Sequence, residues 1–169
     1  MSESFGISGG GRSAEDRFRE LTGADRSSSA AQGDAVLEGT PVEVKRATSA
    51  TLNQVRAVKY IPLVVYFEPR DEWYVVPAHA VVAAVSQKAR GQHTENPFES
   101  ATMSVNNLGA YRVSDVGQLR QVTLDAIESS ARFPELREAM QQVLAESRDL
   151  AGRSLERVRS LLHQLWLGT

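Results

Sequence analysis

Cysteine is absent from the 169 residues. That excludes disulfides, thiolate nucleophiles, iron–sulfur clusters and every zinc site that needs sulfur. Histidine is scarce, and His79, His93 and His163 stand too far apart to form an HxH or HExxH metal pair. No apolar run approaches the ~18 residues of a membrane helix, and no basic-then-apolar leader opens the chain. The expectation is a cytoplasmic protein with no membrane partner. A formal net charge of −2 gives no global positive field. It argues against indiscriminate coating of nucleic acid and leaves room for a local basic cleft. What remains is 41% hydrophobic and 24% charged, an ordinary globular composition with enough apolar material for the core of about one domain.

Residues 1–11 are rich in Ser and Gly and read as a flexible N-terminus. Gly6–Ser13 approximates a phosphate-binding loop with Arg12 in place of lysine. Too few residues precede it to supply the strand that such a loop needs, so it carries no NTPase reading. Ser13 reads as the N-cap of a helix carrying Ala14, Phe18 and Leu21 at helical spacing, with Gly23 as its stop. A small polar segment, Arg26–Gln32, leads to two short strands, Asp34–Leu37 and Pro41–Lys45, joined at Glu38–Gly39. Thr48–Tyr60 reads as a helix through Leu52, Val55 and Val58. Leu63–Phe67 and Trp73–Val76 are apolar runs of buried strands, separated by a turn at Pro69–Glu72. Pro77 opens a helix to about Ala89, and Gly91–Gly109 reads as a loop. From Ser114 onward three apolar series predict helices jointed at Pro134 and Gly152, either packing on the core or forming a dimer or partner surface.

The hairpin carries the chemistry. With Glu38–Gly39 as a two-residue turn, Leu37 faces Thr40 and Asp34 falls opposite Glu43, on one sheet face with Cβ atoms ~5 Å apart. Period two puts Lys45 beside Glu43 and turns Val44 to the other face. Two carboxylates that close repel unless a cation sits between them. Oxygen ligands of this kind, with waters and a phosphate, suit Mg²⁺. Lys45 can orient or deprotonate a water, or stabilise charge developing on phosphorus.

This arrangement resembles the PD-(D/E)xK nuclease superfamily over about Gly11–Ala89, with Gly33 standing where the family often has proline. The resemblance implies an α/β fold, a restriction-endonuclease-like mixed sheet flanked by helices, here followed by an all-helical C-terminal extension. It assigns metal binding to Asp34 and Glu43, with Glu15 on the first helix assisting. Gln54 or Tyr60 would stand near the site, and Gln54 would fix Lys45 or the attacking water. The Ser-rich segment before Asp34 is most similar to that of archaeal-type Holliday junction resolvases, where a loop serine assists cleavage. Ser27, Ser28 or Ser29 would be the counterpart, with Ser28 the expected DNA contact. Arg46, Arg56 and Lys59 flank the site in sequence and are the expected phosphate contacts. Tyr66, Trp73 and Tyr74 lie in strand patterns and read as core. His93 and Asn106–Asn107, in the polar loop, have only residue type to suggest a DNA role.

The resulting expectation divides the chain into the N-terminus, a nuclease-like core over residues 12–90, a loop over 91–113 and a helical extension over 114–169. Its function would be Mg²⁺-dependent DNA endonuclease, with site-specific cutting of the restriction type favoured over junction resolution. Cutting two strands calls for two sites and hence a homodimer. The rival reading is a non-catalytic interaction protein that uses its helical C-terminus.

Overall fold

The computed structural model describes residues 10–29, 31–145 and 151–167. The expected N-terminal tail lies outside them up to residue 9. Helix α1, Gly10–Thr22, is already under way at Ser13, so Ser13 is not its N-cap. Its buried side is Ala14, Phe18 and Thr22, spaced by four. It stops at Gly23, whose φ of +72° lets the N–H turn back onto the Arg19 carbonyl at 2.8 Å.

Strands β1 (Asp25–Arg26), β2 (Ala35–Leu37) and β3 (Thr40–Ala47) run antiparallel in that order. Glu38 and Gly39 both have positive φ, as the type I′ turn joining β2 to β3 requires. Strand β5, Leu63–Phe67, pairs with β3 in parallel and with β6, Glu72–Val76, antiparallel. The sheet order is β1-β2-β3-β5-β6. All five residues of β5 are buried, because helices cover both sheet faces. On one face Val42, Val44, Val64 and Trp73 pack against Ala14 and Phe18 of α1 and Leu119 of α3, Leu119–Ala131. On the other, Leu63, Val65 and Val76 join α2 (Ala78–Ser86), α4 (Pro134–Ala145) and α5 (Ala151–Leu167). The fold is α/β, and its C-terminal helices belong to both layers of core. No helix among the described residues is long and apolar enough to cross a membrane.

Three expectations fail between β3 and α3. Thr48–Tyr60 is not a helix. It forms strand β4, Thr51–Val55, followed by a 3-10 turn at Ala57–Lys59. Its partner is β7, Ala101–Ser104, inside the stretch expected to be a loop. The misreading has a physical cause. The β4–β7 register shifts between Leu52 and Val55, so Asn53 and Gln54 both lie on the exposed side while Leu52 and Val55 both bury. A bulged strand thereby shows an apolar spacing of three, which imitates a helix. Helix α2 ends at Ser86 rather than near Ala89. Beyond it the chain turns tightly at Gly91, where an added Cβ would lie 2.6 Å from the carbonyls of Asn96 and Ser100.

Tyr60 ties the halves of the chain together. Only 5% exposed, it takes the left-handed conformation that ends the 3-10 turn. Its hydroxyl donates to the Ser130 carbonyl at 3.0 Å, with the Phe133 carbonyl at 3.3 Å, at the joint of α3 and α4. Burial pushes its pKa up to about 12. Ser130 in turn accepts the Ala78 N–H that opens α2, at 2.8 Å. Tyr60→Phe keeps the ring and removes the hydroxyl bond, while both carbonyls keep backbone N–H donors, so unfolding should cost about 1 kcal/mol less than in wild type. Urea denaturation followed by far-UV circular dichroism checks this, and an unchanged midpoint would show that the hydroxyl does not hold the joint.

Candidate active site

The β2–β3 register, Leu37 opposite Thr40 through Ala35 opposite Val42, brings the chain to Asp34 one residue past the end of the ladder. The Asp34 N–H still donates to the Val42 carbonyl at 2.9 Å. Its carboxylate then takes the place of the next strand residue, Oδ2 accepting the Val44 N–H at 2.9 Å. Gly33 makes this possible. Its φ is +148°, and a Cβ there would lie 3.0 Å from the Val42 carbonyl and 3.2 Å from Pro41 Cβ. Proline, held near φ −65°, cannot adopt that conformation.

Strand alternation turns Val42 and Val44 into the core and leaves Glu43 and Lys45 half-buried on the other face. The Glu43 carboxylate is bracketed by two ammonium groups, Lys59 Nζ at 2.8 Å and Lys45 Nζ at 3.8 Å. Lys59 reaches it because the parallel β3–β5 pairing sets Glu43 beside Leu63, with the Glu43 N–H on the Pro62 carbonyl at 3.0 Å. Glu15 arrives from α1. Glu15, Asp34, Glu43 and Lys45 line one cleft of about 440 Å³, roofed by Thr48, Ser49, Thr51 and Asn53 of the β3–β4 connection and β4. A smaller hollow of about 190 Å³ shares Glu15 and Asp34 and adds Arg19, Arg26 and Ser27.

The two carboxylates facing the cleft beside Glu43 have their pKa values raised from the ordinary ones. For Asp34, burial is the main cause and the Glu43 charge adds to it, against the pull of the Val44 N–H, Lys59 and Lys45. For Glu15, burial again leads, followed by the charges of Asp34 and Asp16, with Glu43 contributing less. These three acids therefore feel one another.

Of the residues singled out on the sequence, Glu15, Asp34, Glu43 and Lys45 share the cleft. Arg46 also lines it, with its guanidinium paired to Glu68. Lys59, expected at a flank, contacts Glu43 itself. Gln54 is outside: it is exposed, has a φ of +53°, and its N–H donates to Gln92 Oε1 at 2.7 Å. The bulge gives Asn53 the place in the cleft lining that Gln54 was expected to take, and no sequence signal announces a bulge there. Tyr60 is likewise committed to the core. Ser28 is exposed and lines neither hollow, whereas Ser27 lines the smaller one. Arg56 donates from Nε to the Glu99 carbonyl at 3.2 Å and faces a different groove. Tyr66, Trp73 and Tyr74 are buried, as their strand patterns imply. His93 is exposed with φ +60°, and Asn106–Asn107 lie in the 3-10 segment Val105–Tyr111; none of them lines the cleft.

The donors gathered here are all oxygen, the set preferred by hard divalent cations such as Mg²⁺. Among the described residues no three His, Asp or Glu side chains converge into a ready-made coordination shell. The fit to a cation therefore rests on Asp34 and Glu43, with Glu15 behind them. Comparison with protein-family models, with curated proteins and with solved structures gives no match for this chain.

A raised carboxyl pKa means that the folded protein binds more protons than the unfolded chain just above the ordinary carboxylate range. Stability therefore falls as pH rises through that window. Asp34→Asn keeps an oxygen for the Val44 N–H and has no proton to lose. Its melting temperature should exceed that of wild type at neutral pH, with the advantage vanishing in acid. Thermal melts across that range test this, and a variant less stable at neutral pH would contradict it.

Proposed function

We propose that this chain is a Mg²⁺-dependent DNA endonuclease of the PD-(D/E)xK kind, hydrolysing phosphodiester bonds. One observation carries the reading: Asp34, Glu43 and Lys45, chosen on hairpin register, and Glu15, chosen on the family resemblance, line one polar cleft. Supporting it, burial and neighbouring charge raise the pKa of two of the acids, a strain that a bound cation would relieve.

In this reading Asp34 and Glu43 hold the ion, with Glu15 assisting. Bound there, Mg²⁺ supplies positive charge to the scissile phosphate and a lower pKa to water. The chain does the positioning. Lys59, the nearer of the two lysines, keeps the Glu43 carboxylate oriented. Lys45, at 3.8 Å a looser partner, is left to hold the attacking water in line with phosphorus. The water oxygen bonds to phosphorus as the P–O3′ bond breaks; one proton leaves the water and one returns to O3′. The products are the 5′-phosphate and 3′-hydroxyl that the family resemblance implies. Site-specific cutting of duplex DNA by a homodimer is the favoured form. Cutting confined to branched DNA is the alternative within the same chemistry.

Plasmid DNA and a synthetic four-way junction, each with Mg²⁺ or EDTA, test the proposal directly. Wild type should cut at least one of them only with Mg²⁺. Lys45→Ala should be slower by about 10²-fold or more. Mg²⁺ or Ca²⁺ should also raise the melting temperature of wild type by mass action and leave Asp34→Asn unmoved. Folded protein that cuts neither substrate with any of several divalent metals would sink the proposal in favour of an interaction module.

A further inference from the structure

Lysine is the scarce cation of this chain. Lys45, Lys59 and Lys88 are its only lysines among 19 basic residues, the rest being arginine. Two of the three meet at one carboxylate, that of Glu43. Lys88 lines a separate hollow with His79 and Trp166. The Lys59–Glu43 pair is the closer and the drier of the two at this carboxylate. Nζ lies 2.8 Å from Oε2, and the side chains are only 12% and 15% exposed. Lys45 stands 3.8 Å from the other oxygen, Oε1, and is 21% exposed. Lys59 also acts on the second acid, since its charge pulls on Asp34 more strongly than that of Lys45. Backbone pins it there. Lys59 ends the 3-10 turn that begins with the buried Ala57 and Val58, and the Val58 N–H donates to the Phe98 carbonyl at 3.0 Å. An ammonium is a compact point charge, whereas a guanidinium is a wide planar fork. Lys59 therefore gives Asp34 and Glu43 what a bound cation gives them, a concentrated positive charge within reach of both.

We propose that Lys59 is the resident counter-ion of the cleft, stabilising the metal-free protein and lowering the affinity of Asp34 and Glu43 for a divalent cation. The proposal rests on the metal-dependent reading above and adds what sets the strength of its metal site. The two effects have one origin and opposite signs. Glu43 is mostly withdrawn from water, and removing its closest partner would leave a poorly solvated charge, which is a costly state. Toward an incoming cation the same ammonium is a like charge a few ångströms away. Repulsion at that range is strong where bulk water is thinned out. Lys59 thus acts on the ion through the carboxylates and is a positioning residue. A salt bridge of purely structural use would share the first effect, and only a counter-ion role predicts the second.

Calorimetric titration with Ca²⁺ and thermal melts of the full chain, both without DNA, separate the two effects. Lys59→Met nearly keeps the side-chain length and removes the charge. Without metal its melting temperature should fall by several degrees. Its Kd for Ca²⁺ should nevertheless tighten by on the order of tenfold relative to wild type. Lys59→Arg restores the charge and should bring both quantities back toward wild type. Lys88→Met, remote from the cleft, should move neither. Should Lys59→Met be unfolded without metal, millimolar Ca²⁺ should restore its far-UV circular dichroism, and failure to do so would overturn the proposal. Wild type that binds Ca²⁺ while Lys59→Met binds it equally or more weakly would overturn the counter-ion role and spare the metal site. Absence of Ca²⁺ and Mg²⁺ binding by both folded proteins would overturn the metal-dependent reading as well.

Discussion

The parallel pairing of β3 with β5 is the constraint from which the rest of this architecture follows. Antiparallel neighbours can be joined by a tight turn, as β2 and β3 are. A parallel pair obliges the chain to travel back the length of the strand before it can pair again. Residues 48–62 make that return here, and both ends of the journey serve the cleft. The outward part, from Thr48 to Asn53, roofs it. The inward part must finish beside Glu43, because Glu43 is opposite Leu63 and takes the Pro62 carbonyl. Lys59, four residues before Leu63, is thereby delivered to the Glu43 carboxylate. The Lys59–Glu43 contact is a product of sheet topology as much as of charge.

Electrostatics in the cleft works against the fold that builds it. Asp34 and Glu15 are half-buried acids in each other's field, and burial is the leading cause of both upward shifts. Glu43 differs, since two lysines face it. The arrangement is asymmetric: one neutralised carboxylate, two that are not, and a lysine at 3.8 Å with capacity to spare. In the proposed reading a bound cation would offset this conflict. Replacing Asp34 by a neutral isostere removes it while preserving the hydrogen bond to Val44.

How far the sequence discloses this follows from which interactions are local. The hairpin is legible because its turn, alternation and register are written within about a dozen residues, so Asp34, Glu43 and Lys45 could be set on one surface in advance. Strands β5 and β6 are legible as apolar runs, and α1 through Ala14 and Phe18 at a spacing of four. The return segment is not. Whether Leu52 and Val55 sit on a helix or a bulged strand depends on a partner strand at 101–104, remote in sequence. That single ambiguity exchanged Asn53 for Gln54 and hid the role of Lys59. The C-terminal helices were readable as helices, but nothing local says which face of the sheet each would cover.

Their placement bears on what the extension is for. Leu119 of α3 is fully buried with α1 on one side of the sheet, and Leu136 and Met140 of α4 are fully buried on the other. The α3–α4 joint therefore passes around the sheet, and Tyr60 bonds it there by its hydroxyl. The same residue terminates the turn that returns Lys59 to Glu43. Backbone on one side and hydroxyl on the other make Tyr60 a rigid strut between the helical wall and the carboxylate cleft. A shift of α4 large enough to move this joint must either break the hydroxyl's shared hydrogen bond or move Lys59 with it. The coupling is mechanical and short, and it makes the helical extension part of the cleft's own support.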